Sequence, residues 1–142
     1  MIKSFRGQLA DGEQDTIRLS TNNGLIGYKI KDFRGMANAP GTVSGEHVVK
    51  LYTYTQDVIT GDVDFDDGTL LGVLYFTNRA DTLHSNESIV IFENVAINQD
   101  IFITHFDASG SASGNYYLEL EQIKLDLSEA TVATLKDMRG SN

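Results

Sequence analysis

The sequence predicts an all-β chain: an antiparallel β-sandwich, a single jelly roll of about eight strands, with a short C-terminal helix. Three observations predict it. Apolar and polar residues alternate with a period of two through most runs between turns. Those runs are rich in Val, Ile, Tyr, Phe and Thr, the residues that suit a pleated, half-buried surface. Clusters of Gly, Asn, Asp and Ser separate them at intervals that fit a sandwich or barrel. At 142 residues, the expectation is one domain over 1–142, with strands over about 2–125 and the helix over about 127–139.

The first run, IKSFRGQL, places Ile2 and Phe5 on opposite parities, which predicts a bulge or a late start. The second, DTIRLS, alternates cleanly, with Ile17 and Leu19 inward and Arg18 outward. Asn22, Asn23 and Gly24 tolerate positive φ and supply hairpin chemistry. In LIGYKIKDF, Ile26, Tyr28 and Ile30 share one face, and Lys29 and Lys31 the other. The stretch RGMANAPGTVSGE reads as a loop, long for a compact domain.

In HVVKLYTYTQ, Val49 and Leu51 oppose Tyr52 and Tyr54. TLLGVLYFT is apolar on both faces, as a strand inside a sheet should be. NRADTLHSNES loops over to SIVIFENV, and AINQD turns into DIFITHFDA. After the polar turn SGSASG, NYYLELEQIKL sets Tyr116, Leu118, Leu120 and Gln122 on one face, with Glu119 and Glu121 pointing away. The period then changes. Asp126 and Glu129 fit a capping box, Val132, Leu135 and Met138 fall at helical spacing as a stripe expected to dock on its own sandwich, or else on a neighbouring subunit, and Gly140 stops the helix.

Composition excludes several functional classes. There is no cysteine, hence no disulfide, thiolate metal site or cysteine nucleophile. No run approaches the roughly 20 apolar residues of a membrane-spanning helix, and the N-terminus lacks a hydrophobic region of signal-peptide length, so synthesis in the cytoplasm and no membrane partner are expected. Acidic residues outnumber basic ones 20 to 11, a formal charge of -9, which repels a phosphate backbone and argues against nucleic acid as a partner.

The residues most like chemistry are Asp62, Asp64, Asp66 and Asp67 in GDVDFDDGTLLG. A calcium loop needs glycine at its sixth position and a bidentate glutamate at its twelfth, and this segment has Asp67 and Val73 there. The favoured reading is a tight turn, in which aspartate side chains bond nearby amides and Gly68 takes positive φ; a weak cation site at residues 62–67 is the other. His47, His84 and His105 lack the spacing of a metal cage, and His105 reads as a partly buried strand residue. A triad of His105, Asp107 and Ser109 or Ser111 is too close in sequence for its members to face one another. Ala112 stands where GxSxG requires its serine.

Glu119 and Glu121 lie roughly 7 Å apart by strand rise, a spacing glycoside hydrolysis could use but which is commonplace in an acidic chain. Tyr52 and Tyr54 could begin a sugar platform, although strand aromatics more often fill cores and tryptophan is absent. Asn86 in NES fits a glycosylation pattern, which means little without secretion. No catalytic, cofactor or metal residue is assigned: the expectation is a protein that is not an enzyme and needs no cofactor.

Three segments, FRGQLADGEQDTIRLSTNNGLIGYKI, NQDIFITHFD and NYYLELEQIKLDLSEATVATLKDMR, carry a family resemblance over a little under half of the chain. In them the chain resembles a group of small proteins abundant in marine bacteriophage genomes that look like virion structural components. The aspartate turn lies outside the resemblance, which argues against a shared metal site there. The resemblance implies a capsid-associated virion protein, decorating the shell or forming a minor capsid or vertex component. Its partners would be copies of itself, as a homo-oligomer, and other capsid subunits, with strand edges and the loops at residues 34–46 and 78–88 as contact surfaces. The alternative expectation is a carbohydrate-binding β-sandwich module for host attachment.

Overall fold

The computed structural model describes residues 1–78, 88–92 and 96–140, with side chains through Leu135. His84, Asn86, most of the 78–88 loop and the side chain of Met138 lie outside the described residues. Among the described residues eight strands and one helix are formed: β1 (Ile2–Leu9), β2 (Gln14–Ile17), β3 (Ile26–Ala37), β4 (Glu46–Tyr52), β5 (Leu70–Thr77), β6 (Ser88–Ile91), β7 (Ile101–Asp107), β8 (Gly114–Lys124) and α1 (Leu127–Gly140). They make an all-β sandwich with a C-terminal helix.

One sheet has the order β1-β8-β3 and the other β2-β7-β4-β5-β6, with every pairing antiparallel. Orders 1-8-3 and 2-7-4-5 are those of two interleaved Greek keys, the jelly-roll arrangement. The departure is β6, which extends the larger sheet beside β5 instead of completing the smaller one beside β3.

The core lies between the sheets. Leu118 on β8 pairs with Phe5 on one side and Phe33 on the other, and these pack with Leu9, Val49, Leu51, Leu74, Ile101, Ile103 and Leu120. Phe33, Leu51, Leu74, Ile101, Ile103, Leu118 and Leu120 are wholly excluded from solvent. Their inward alternation is the period-two pattern of the sequence made solid.

Several local expectations need correction. β1 pairs with β8 in unbroken register from Ile2 to Leu9, so it has neither bulge nor late start, and Ile2 is simply half exposed. The bulge is in β3, where the register shifts between Ile30 and Asp32. That shift moves the inward parity from Tyr28 and Ile30 to Phe33, Gly35 and Ala37, and the strand continues through residues expected to be loop. Residues 22–24 do not close a hairpin either: β2 and β3 belong to different sheets, and the turn, with Gly24 at φ 66°, carries the chain between them.

The helix is capped as expected. Glu129 N–H donates to Asp126 Oδ1 at 2.7 Å, and Asp126 N–H donates to Glu129 Oε1 at 3.2 Å. Its docking face is not the expected one. Ala130 and Ala133 are buried, whereas Val132 and Leu135 are about half exposed and Leu127 more so. The face turned inward is thus the one backed by the methyl groups of Ala130 and Ala133. There Asn98, itself buried, donates from Nδ2 to Ala130 O and Thr134 Oγ1.

Candidate functional site

The chemistry-bearing side chains collect in two places. The first is at the inner face of β4 and β7. Val49 pairs with His105 and His47 with Asp107, so the two imidazoles are diagonal neighbours on one face. His47 Nδ1 and His105 Nε2 are 2.8 Å apart, both rings are fully buried, and His47 also stacks on Phe76 with centroids 4.8 Å apart. His105 Nδ1 lies 3.1 Å from the carbonyl oxygen of Ala10, which can only accept. A neutral His105 therefore carries its hydrogen on Nδ1, its Nε2 accepts, and His47 donates from Nδ1. His47 Nε2 is left as a buried lone pair, without a hydrogen-bond partner among the described residues.

Two glycines make this close packing possible. A Cβ on Gly114 would come within 2.8 Å of His105 Nε2, and one on Gly45 within 2.5 Å of His47 Nε2. Burial pulls the basicity of His47 below the ordinary imidazole value, and the adjoining His105 adds to that; the carboxylates of Asp107 and Asp11 oppose it without prevailing.

Asp107 ties this end together. Its Oδ1 accepts from Glu46 N–H at 2.9 Å, Ser109 N–H at 3.0 Å and Ser109 Oγ at 3.2 Å, and its Oδ2 accepts from Ala112 N–H at 2.8 Å. Its own N–H donates to Asp11 Oδ1 at 2.8 Å. Burial raises the carboxyl's proton affinity, but the backbone donors, with the neighbouring His47, outweigh it and hold the group below the usual carboxylate range. The arrangement is not a hydrolase triad. Asp107 holds Ser109 directly, while His105 turns to His47 and Ala10.

The second place is the outer face of the larger sheet, which residues 53–69 cross. Gln56 N–H bonds Gln14 Oε1 beside β2, Gly61 lies against Phe106 of β7, and Phe65 meets Phe92 edge-on just beyond β6. Beneath this strap Lys50 of β4 is only 4% exposed, and its Nζ donates to the carbonyl oxygen of Asp62 at 2.6 Å. Burial lowers the lysine's pKa against the opposing pull of Asp62 and Asp67. Burial first, then the charges of Asp67 and Asp64, push neighbouring Tyr52 up to about 12.

The aspartates make turns, as the favoured reading has it. Asp64 Oδ1 accepts from Asp66 N–H, and Asp67 Oδ1 accepts from Thr69 N–H at 2.9 Å and Thr69 Oγ1 at 2.6 Å. Gly68 does not enter the left-handed region, however; the side-chain bonds act together with backbone bonds from Asp67 N–H to Asp64 O and from Leu70 N–H to Asp67 O, both at 3.2 Å. Among the described residues no three His, Asp or Glu side chains converge in a group able to hold a metal ion. The cation facing this segment is the protein's own Lys50.

The remaining sequence candidates are engaged elsewhere. Glu119 Oε2 accepts from Tyr117 Oη at 2.9 Å, and Glu121 pairs with Lys31 at 2.8 Å. Tyr52 is buried and Tyr54 half exposed, so the two do not share an open platform. Sequence reasoning missed the His47–His105 contact, although both residues sit on inward parities of their strands. It also missed Lys50 as an interior residue and Asn98 as the helix anchor. No family model, no curated protein and no solved structure matches the chain.

Proposed function

We propose that this chain is a non-enzymatic structural protein of a bacteriophage particle, a capsid decoration, minor capsid or vertex component that assembles with copies of itself and with other virion subunits. The observation that carries the reading is the distribution of exposed apolar side chains over separate surfaces. Leu127, Val132 and Leu135 stand out from α1, Val58, Val63 and Phe65 from the strap over the larger sheet, and Ile89 and Ile91 from edge strand β6. Groups of this kind mark contact surfaces, and a subunit inside a shell needs more than one.

The strand edges add to it. β1 and the 12-residue β3 flank the smaller sheet; away from Tyr28, where Ile97 already closes the edge of β3, they offer backbone groups that a neighbouring subunit can complete. The resemblance of the three sequence segments to marine phage proteins supplies the particle. The reading calls for no cofactor. Mass spectrometry of purified particles from the phage that encodes the chain tests it: the chain should be present in fixed ratio to the major shell protein, and its absence from intact particles overturns the proposal.

A further inference from the structure

We propose that the His47–His105 pair is a proton-operated latch: when the pair takes up one proton, residues 38–45 and 108–113 release from the end of the sandwich that they close. The inference concerns the fold's response to acid and does not rest on the virion reading.

The hydrogen-bond sequence allows one entry point for a proton. His105 Nδ1 is committed to Ala10 O, and the 2.8 Å line between His105 Nε2 and His47 Nδ1 already holds one hydrogen. The remaining lone pair is His47 Nε2, which faces Gly45 and has no partner among the described residues. Protonation there makes a buried imidazolium whose new N–H has no acceptor among the described residues, an arrangement that burial makes costly.

The charged groups around the pair determine how it is relieved. Asp11 approaches from the β1–β2 turn and Asp107 from β7, and both carboxylates already accept backbone hydrogens. Glu46, at the start of β4, accepts from Tyr75 Oη of β5, and Glu13 accepts from Ala10 N–H. Asp15 of β2 bonds Tyr116 of β8. Residues 38–45 and 109–113 contain no ionisable side chain. Relief therefore comes in one of two ways. Asp107 turns to the imidazolium and drops the N–H groups of Glu46, Ser109 and Ala112, or the Gly45 wall moves and admits water.

The first route frees 108–113 and the N–H of Glu46, the second moves Gly45 and with it 38–45, and the bond from Asn38 N–H to Ser113 O at 3.1 Å couples the two segments, against the hold that Thr77 and Asn78 keep on 38–45. A cleft of about 420 Å³ lies between them, with Asn38, Val43 and Ser44 on one side and Gly110, Ser111 and Ser113 on the other.

Hydrogen exchange on the full chain at about pH 8 and about pH 5, corrected for the intrinsic pH dependence of exchange, tests the latch. Protection over 38–46 and 108–114 should fall about ten-fold or more at the lower pH, while β5 and β8 keep theirs. His47→Gln, which cannot take the proton, should abolish the change. Should that variant fail to fold, ring-nitrogen NMR of the unaltered protein decides. Nε2 of His47 must be the atom that titrates, and the amides of both segments must follow with the same midpoint. Unchanged protection in the two segments, a midpoint unrelated to His47, or loss of protection throughout the molecule at once would each overturn the proposal.

Discussion

The side-chain amide of Asn98 lies 3.2 Å from the carbonyl oxygen of Ala130, and through that contact the C-terminal helix is attached to the sandwich. The same nitrogen lies 2.9 Å from Thr134 Oγ1 and 3.1 Å from Gly24 O, so one buried amide joins α1 to the turn between β2 and β3. Asn98→Ala removes the donor to Gly24 O and Thr134 Oγ1, while Ala130 O keeps the Thr134 hydroxyl at 2.9 Å. It should cost about 2 kcal/mol, the usual penalty for orphaned buried polar groups. Denaturant unfolding measures the cost, and hydrogen exchange should place the lost protection in α1 rather than in β4 or β7.

Substitutions on α1 should have effects opposite to those its apolar spacing suggests. Val132 and Leu135 face out, so Leu135→Ser should change stability by less than about 0.5 kcal/mol. Ala133 is buried against the sandwich, and Ala133→Leu should cost about 1–3 kcal/mol by overpacking. If the serine variant proves the more damaging in thermal unfolding, the helix docks by its leucine face after all.

Asp100 should act as an acid-sensitive staple. Its Oδ1 accepts from Leu19 N–H at 2.7 Å and from Ser20 N–H and Oγ, both at 2.9 Å. Burial raises its proton affinity, but the donors of Ser20 and Leu19, with the charge of Arg18, leave the carboxyl below its ordinary value of 3.8. The folded state thus binds this proton less readily than the unfolded chain. The stability it contributes is fully present above the ordinary aspartate range and is lost as pH falls through the lower folded value. Asp100→Asn should remove about 1–3 kcal/mol at neutral pH and flatten this part of the acid unfolding curve. An unchanged slope in the variant would assign the acid sensitivity elsewhere.

The glycine walls around the imidazoles give a separate check on the geometry. Gly114→Ala puts a methyl group within 2.8 Å of His105 Nε2 and 3.3 Å of His47 Nδ1, so it must part the rings. A cost of about 1–3 kcal/mol is expected, with loss of the hydrogen bond between the rings in an imidazole NMR spectrum. Gly41→Ala, with open space around its Cβ position, should be close to neutral in the same assay.

Legibility in the sequence follows the range of each interaction. The alternation of Tyr116, Leu118 and Leu120 depends on neighbours two residues apart, and the Asp126–Glu129 capping box on neighbours three apart; both were readable. The β3 bulge was not, because nothing in IKDF distinguishes a residue that pairs from one that is passed over. The meeting of His47 with His105 depends on the β4–β7 register across 58 positions, and that of Asn98 with Ala130 on packing across 32. The helix illustrates the limit most clearly: Val132 and Leu135 fall at helical spacing but stand exposed, and the buried face is that of Ala130 and Ala133. The acidic turn was legible as a turn, because its bonds span two residues, whereas the lysine beneath it was not.

That lysine gives the last test. Lys50 is buried beneath the aspartates, with its ammonium held by the Asp62 carbonyl and 5.6 Å from the Tyr52 ring centroid. Burying a charge is costly, and replacing a buried charge by an apolar residue of similar length is often neutral or stabilising. Lys50→Met should therefore keep global stability within about 1 kcal/mol, whereas Lys50→Ala, which leaves a cavity, should cost about 2–4 kcal/mol. Both variants should loosen residues 53–69, which lose their anchor on β4. A pH titration separates the charge from the packing. Because the folded state lowers the lysine's pKa, the unfolded chain binds this proton more readily, and stability rises with pH through the folded value toward the ordinary 10.5. Tyr52, pushed up to about 12, acts in the opposite sense, but only above its ordinary value of 10.0. As pH rises from neutral toward the ordinary tyrosine value of 10.0 the parent should thus gain stability that Lys50→Met does not. Equal slopes for the two proteins in urea unfolding across that window would show that the ammonium is not held in the dry setting described for it.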